Sequence, residues 1–162
     1  MKTISSEEEQ SALEYIKEAV QLAKKSTCRR SNCGAVVVKD NLIIGKGWNS
    51  PPGEKQTQQR CFHAKESYHG KVTDKTCCVH AEQRAIMDAL KRSPTKIAGS
   101  RLYFIRVDEQ GKPARAGKPY CTLCSKMALD AGVREFVLWH KEGITVYNTE
   151  EYNQRSFEFN EN

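Results

Sequence analysis

The 162-residue chain contains no run of about 18 or more apolar residues, so a helical membrane span is excluded. It also lacks a basic and then apolar leader. Ser5-Ser6 runs into Glu7, Glu8 and Glu9, which predicts a cytoplasmic rather than a secreted protein. Internal repeats and low-complexity tracts are missing, which excludes repeat architectures. One domain over 1–162 is expected, large enough to bury a substantial core. An even set of cysteines is lacking too. The seven present include several at short spacings near histidines, which predicts metal ligands and free thiols rather than a disulfide framework.

What the chain does carry is a moderate positive charge, +6, much of it from Lys24, Lys25, Arg29 and Arg30 and from Arg101, Arg106, Lys112, Arg115 and Lys118. A solvated basic surface accounts for this, and so does a phosphate-bearing partner, either a nucleotide or RNA.

Periodicity gives the order of elements. Ser6 and Glu9 form an S-x-x-E pattern that opens a helix, with Leu13, Ile16, Ala19, Val20 and Ala23 as its apolar face. Gly34 to Lys39 and Leu42 to Trp48, separated by Asp40-Asn41, predict a β-hairpin. A long polar loop follows at 49–77, opening with Pro51-Pro52-Gly53. His80 to Arg92 reads as a helix burying Ala81, Ala85, Ile86, Ala89 and Leu90. Leu102 to Val107 reads as a strand, Asp108 to Lys118 as a polar excursion, and Cys121 to Ala131 as a helix stopped by Gly132. Phe136 to Trp139 is the last clear strand. The polar tail from about 148, with Tyr152, Phe157 and Phe159, predicts a short helix or ordered arm. Trp48 and Trp139 are expected in the core. The pattern is a mixed sheet flanked by helices.

Two segments carry chemistry: Cys78-Val79-His80-Ala81-Glu82 and Cys121-Thr122-Leu123-Cys124. Cys121 and Cys124, three apart at a helix start, present both sulfurs on one face, where the helix dipole favours thiolates. With His80 they make three protein ligands for a tetrahedral zinc ion, leaving a fourth position to water. Glu82, two residues beyond the imidazole, can move that water's proton, which points to hydrolysis. The bland alternatives are a closed site with Cys77 or Cys78 as fourth ligand, and Glu82 as a first-turn acid favoured by the dipole.

These residues resemble the zinc-dependent cytidine and deoxycytidylate deaminase superfamily, whose pattern is H-x-E followed by P-C-x-x-C. His80-Ala81-Glu82 matches it, and Gly34-Ala35-Val36-Val37-Val38 with Gly45-Lys46-Gly47-Trp48-Asn49 is similar to the family's first hairpin. The likeness runs from roughly Leu13 to Trp139. It implies a three-layer α/β/α fold with a mixed sheet of about five strands, one catalytic Zn2+, a homo-oligomer, and a substrate that is a small nucleotide or nucleoside. Glu82 would be the catalytic acid and base, and His80, Cys121 and Cys124 the ligands. The backbone at Ala81 and the carbonyl near Tyr120 would read the base, and Asn49 the sugar or base. For Asn49 a plain hairpin-ending turn residue is the alternative. Pro119-Tyr120-Cys121 departs from the family pattern by the tyrosine between proline and cysteine, and the 108–118 excursion is longer than usual.

The long 49–80 link favours a cytosine nucleotide, as in deoxycytidylate deaminases. Gly47-Trp48-Asn49, with a proline just after, and the basic charge also suit an adenosine deaminase acting on tRNA or other nucleic acid. Cys61, His63, His69 and Cys77 could hold a second, structural zinc in the loop. Cys28 and Cys33 read as small buried hydrophobes.

Overall fold

Residues 1–160 are described by a computed structural model, in which seven strands and four helices form three layers. In chain order these are β1 (Lys2–Thr3), α1 (Ser6–Ala23), β2 (Asn32–Lys39), β3 (Leu42–Trp48), α2 (Ala81–Arg92), β4 (Arg101–Val107), β5 (Pro113–Ala114), α3 (Thr122–Asp130), β6 (Glu135–His140), β7 (Gly143–Asn148) and α4 (Thr149–Phe157). The sheet order is β1-β7-β6-β4-β2-β3, with β5 beside the far end of β4. Among the described residues only β4 and β6 pair in parallel; every other strand pair is antiparallel.

Seven strands replace the five or so expected. β1 and β5 are two residues long, too short for any alternation to register. β7 escaped because the charged Lys141-Glu142 turn carries none of the Asn-Gly chemistry that marks a hairpin.

Strand alternation divides the core in two. Val36, Val38, Tyr103, Ile105, Val137, Ile144 and Val146 face α1, which lays Ala12, Ile16, Ala19 and Val20 on them. Ala35, Val37, Leu102, Phe136 and Leu138 face the other way, against α2, α3 and α4. A sheet buried on both sides needs continuous apolar runs such as Ala35 to Val38, and that is what β2 supplies. Trp48 and Trp139 are half-buried and pack on the α1-side core.

Small differences in register have local causes. Ser5, not Ser6, is the N-cap residue of α1, and its hydroxyl reaches Glu8. Leu13 is half-buried, while Leu90 is exposed at 40%. Ala81, Ala85 and Ala89, four apart, form the stripe that α2 presents to the sheet, and Leu90 lies about 100° around the helix from Ala89. That stripe meets β3 at backbone distance. A Cβ on Gly47 would sit 2.2 Å from the Ala81 carbonyl oxygen and 2.4 Å from the Ala85 nitrogen.

The hairpin turn closes with Asp40 and Asn41 at φ 49° and 60°, the left-handed pair of a tight two-residue turn. Gly132 stops α3 as expected: its φ is +82°, and the Val133 N–H donates to the Ala128 carbonyl. The segment 49–77 holds only three single helical turns, at Pro52–Glu54, Gln56–Gln58 and Lys65–Ser67. Its base is clamped where Ser50 and Val79 exchange backbone hydrogen bonds of 3.4 and 3.0 Å. The tail from 148 begins with α4, its Tyr152 ring stacked on Phe136 at 4.1 Å; residues 161 and 162 lie outside the described residues.

Candidate metal centre

The starts of α2 and α3 meet at one end of the sheet. His80 is the N-cap residue of α2, its N–H donating to the Gln83 side chain at 3.0 Å, and Cys121 is the N-cap residue of α3, its sulfur accepting the Cys124 N–H at 3.4 Å. Both helices therefore aim their positive ends at the same spot. Because β3 carries Gly45 and Gly47, α2 lies flat enough on the hairpin to bring His80 there.

His80 Nδ1 lies 3.3 Å from Cys121 Sγ and 3.2 Å from Cys124 Sγ, and the two sulfurs are 3.0 Å apart. A zinc tetrahedron spreads such donors to roughly 3.6 Å (N to S) and 3.8 Å (S to S), so the set fits after opening by less than about one ångström. One imidazole and two thiols suit zinc, so these three residues could hold a Zn2+ ion. Cys77 and Cys78 are not part of it, so the closed four-residue alternative has no fourth protein ligand among the described residues.

Protons hold the donors together in the protein alone. The hydrogen bond from Cys124, opposed by burial and joined by His80, pulls the Cys121 thiol down to about 4. The Cys121 sulfur in turn raises His80 to about 9. Such a thiolate–imidazolium pair is what a cation replaces. Glu82 is buried, 5% exposed, and hydrogen-bonds the Cys124 thiol. Burial first, then the Cys121 charge, pushes its carboxyl up to about 7.

Sequence reasoning missed Thr76. Its hydroxyl sits 3.4 Å from His80 Nε2 and donates to the Asp74 carboxylate, the outer contact that orients a ligating imidazole. No spacing rule points to it, since it belongs to the irregular loop.

A cavity of about 200 Å3 opens over Glu82 and His80, lined by Asn49, Ala81, Tyr120, Phe104, Arg30 and Lys65 among others. A second, of about 400 Å3, abuts it through Ser31, Cys33, Phe104 and Tyr120 and carries Arg106, Arg115 and Lys118. Asn49 is buried and bonds the backbone at β2: its Oδ1 accepts the Cys33 N–H and its Nδ2 donates to the Ser31 carbonyl, each at 2.8 Å. Ala81 is fully buried, whereas the Tyr120 ring is exposed and tilts against Phe159. Cys33 is half-buried and packs against the core, as expected; burial, with Glu82 second, pushes its thiol up to about 12.

The loop set expected for a second zinc does not converge. The His63 ring packs between Phe62 and Tyr68, and His69 accepts the Lys71 N–H, both exposed on the loop's outer face. Cys61 turns inward instead, towards Cys28 and Cys78. Cys28 is thus half-buried among thiols rather than hydrocarbon. Among the described residues, no helix is long and apolar enough to cross a membrane.

A family model for the cytidine and deoxycytidylate deaminase zinc-binding region matches residues 9–140. The deoxycytidylate deaminase of Mycobacterium phage D29 is 29% identical over 130 residues, which cover 76% of this chain and 89% of the phage protein. That of Schizosaccharomyces pombe is 36% identical over 81 residues, 46% of this chain but only 24% of the yeast protein, so the chain spans about a quarter of that relative. Among solved structures, dCMP deaminase from the cyanophage S-TIM5 in complex with dCMP and dUMP is 28% identical, with a TM-score of 0.56 over 82% of this chain and 81% of that one. With the family model spanning most of the chain and the imidazole, thiols and carboxylate gathered at two helix starts, the chain belongs to the cytidine and deoxycytidylate deaminase family of zinc-dependent hydrolytic deaminases.

Proposed function

We propose that the chain deaminates the cytosine ring of a small nucleotide, dCMP or a near analogue, releasing ammonia. The observation that carries this reading is Glu82, buried against His80, Cys121 and Cys124 on the floor of a cavity whose wall holds Arg30 and Lys65. The two cations favour a phosphate-bearing substrate over a bare nucleoside. The likeness to deoxycytidylate deaminases of two phages and a yeast supports the deoxyribose monophosphate.

In this reading His80, Cys121 and Cys124 hold the zinc. When bound, the ion acts as a Lewis acid that lowers the pKa of water towards about 7. Glu82 accepts the proton as a C–O bond forms at the ring carbon bearing the amine. It passes that proton to the ring nitrogen, then takes the remaining hydroxyl proton and delivers it to the amine, so that a C=O forms, the C–N bond breaks and ammonia leaves. The backbone at Ala81 and the Tyr120 carbonyl face the base edge. Asn49 braces the wall through Ser31 and Cys33, with one N–H of its amide left for the sugar or base. Family membership also implies a homo-oligomer, which sedimentation velocity measures directly.

The test is ammonia release with mass analysis of the base, over dCMP, CMP, deoxycytidine, cytidine and folded tRNA. Turnover is expected on dCMP, with the nucleosides much poorer. Deamination of adenosine in tRNA with dCMP untouched would move the assignment to nucleic acid. Zinc-loaded protein inert on all five would end it.

A further inference from the structure

Tyr120 stands between Pro119 and Cys121, where the family pattern has no residue. Its ring lies in the wall shared by the cavity over Glu82 and the larger one beside it. The segment leading to it is tied at both ends. The Ala116 N–H donates to the Trp139 carbonyl at 2.9 Å, and Cys121 caps α3. Between these ties Gly117 adds no side chain and Pro119 has no N–H to donate. The place of Tyr120 therefore depends on what its ring touches.

It touches the segment beyond α4. The Phe159 ring centroid is 5.9 Å from that of Tyr120, with the planes tilted by 58°, an arrangement that aromatic pairs favour. Beside this pair, Lys118 Nζ donates to the Asn160 backbone carbonyl at 3.4 Å and to its side-chain oxygen at 3.0 Å. Two contacts at neighbouring points fix the rotation of the strand of chain before Cys121 as well as its place. The far side of the brace is anchored in turn. Tyr152 of α4 stacks on Phe136 at 4.1 Å, and the Asn153 side-chain oxygen accepts the Ser125 hydroxyl of α3 at 2.8 Å. A packed path thus runs from the sheet through α4 to the cavity wall, where Phe159 and Asn160 also sit. Tyr120 and Phe159 stay 64% and 42% exposed, so their pairing adds little to the core.

We propose that Phe159 is a positioning residue of the active site, acting through Tyr120: it holds that ring in the wall of the cavity over Glu82 and sets the backbone just before Cys121. The effect on substrate rests on the proposed function, in which the Tyr120 carbonyl faces the base edge. An interaction of this kind is made equally with substrate and transition state, so its loss appears in KM and not in kcat.

The experiment compares Phe159→Ala and Phe159→Tyr with the parent on dCMP. Phe159→Ala is expected to raise KM by about 2–10-fold, the factor that corresponds to one aromatic pair, with kcat and zinc content unchanged. Phe159→Tyr keeps the ring and should restore the parent KM. A purely structural role would lower Tm and leave KM where it was, and that result overturns the proposal. The brace exists without substrate, so 19F NMR on protein carrying 3-fluorotyrosine reads it separately. The Tyr120 signal, identified by its loss in Tyr120→Phe, is expected to shift in Phe159→Ala. An unmoved signal overturns the proposal even if the parent is inert on dCMP, whereas a shifted signal in an inert parent supports the brace and removes only the substrate.

Discussion

Glu82 and Thr76 act at the scale of single side chains, and their substitutions separate proton transfer from metal holding. Glu82→Gln keeps the shape of a buried side chain but removes the proposed base, so turnover should fall by about 10²–10⁴-fold with zinc content unchanged. Loss of zinc in that variant would make Glu82 a ligand instead. Thr76 touches His80 only from behind, through Nε2. Thr76→Val should weaken zinc affinity by about 10–100-fold, read by competition with a chelator, and excess zinc should restore activity. An affinity equal to that of the parent would show that the hydroxyl does not orient the ring.

At the scale of elements, the contact between α2 and β3 sets the site. The Ala81-Ala85-Ala89 stripe lies so close to Gly45 and Gly47 that no side chain fits between. Gly47→Ala should therefore destabilise by about 1–3 kcal/mol or more in chemical denaturation, because helix backbone must shift to admit the methyl. The same shift moves His80 and Glu82, so kcat should fall along with stability. Ser93 lies at the far end of α2, and a change there should leave kcat alone. This packing was half legible in the chain: the alanine period announced the buried face, and the glycines marked a close approach. Leu90 matches the same apolar pattern, and its place about 100° around the helix from Ala89 leaves it in solvent.

For the whole molecule, a metal held by His80, Cys121 and Cys124 would join parts distant in sequence. His80 comes from one side of β4 and the two cysteines from the other, so binding energy at the centre is also folding energy. Removing zinc with a strong chelator should lower Tm. A ligand at a thousand times its Kd contributes about 4 kcal/mol. For a chain of this size that corresponds to roughly 8–16 °C, recovered on adding zinc back. An unchanged Tm after complete removal would mean that core packing alone holds the two helix starts together.

The Cys121–Cys124 and His80–Glu82 spacings, the hairpin and the stop at Gly132 could be read from the chain because each is local: a spacing within one helix turn, or a turn with defined backbone angles. The two-residue strands and β7 were not readable, because their only signal is a partner across the sheet. The thiol cluster shows the same limit more sharply. Sequence proximity groups Cys61 with His63, His69 and Cys77, all within one loop. The folded chain groups it with Cys28 and Cys78, because the Ser50–Val79 clamp returns the loop to its own base and Arg30 holds Cys61 there. Local chemistry is thus written in order along the chain, while which distant residues become neighbours is decided by packing, and packing depends on every layer of the sheet at once.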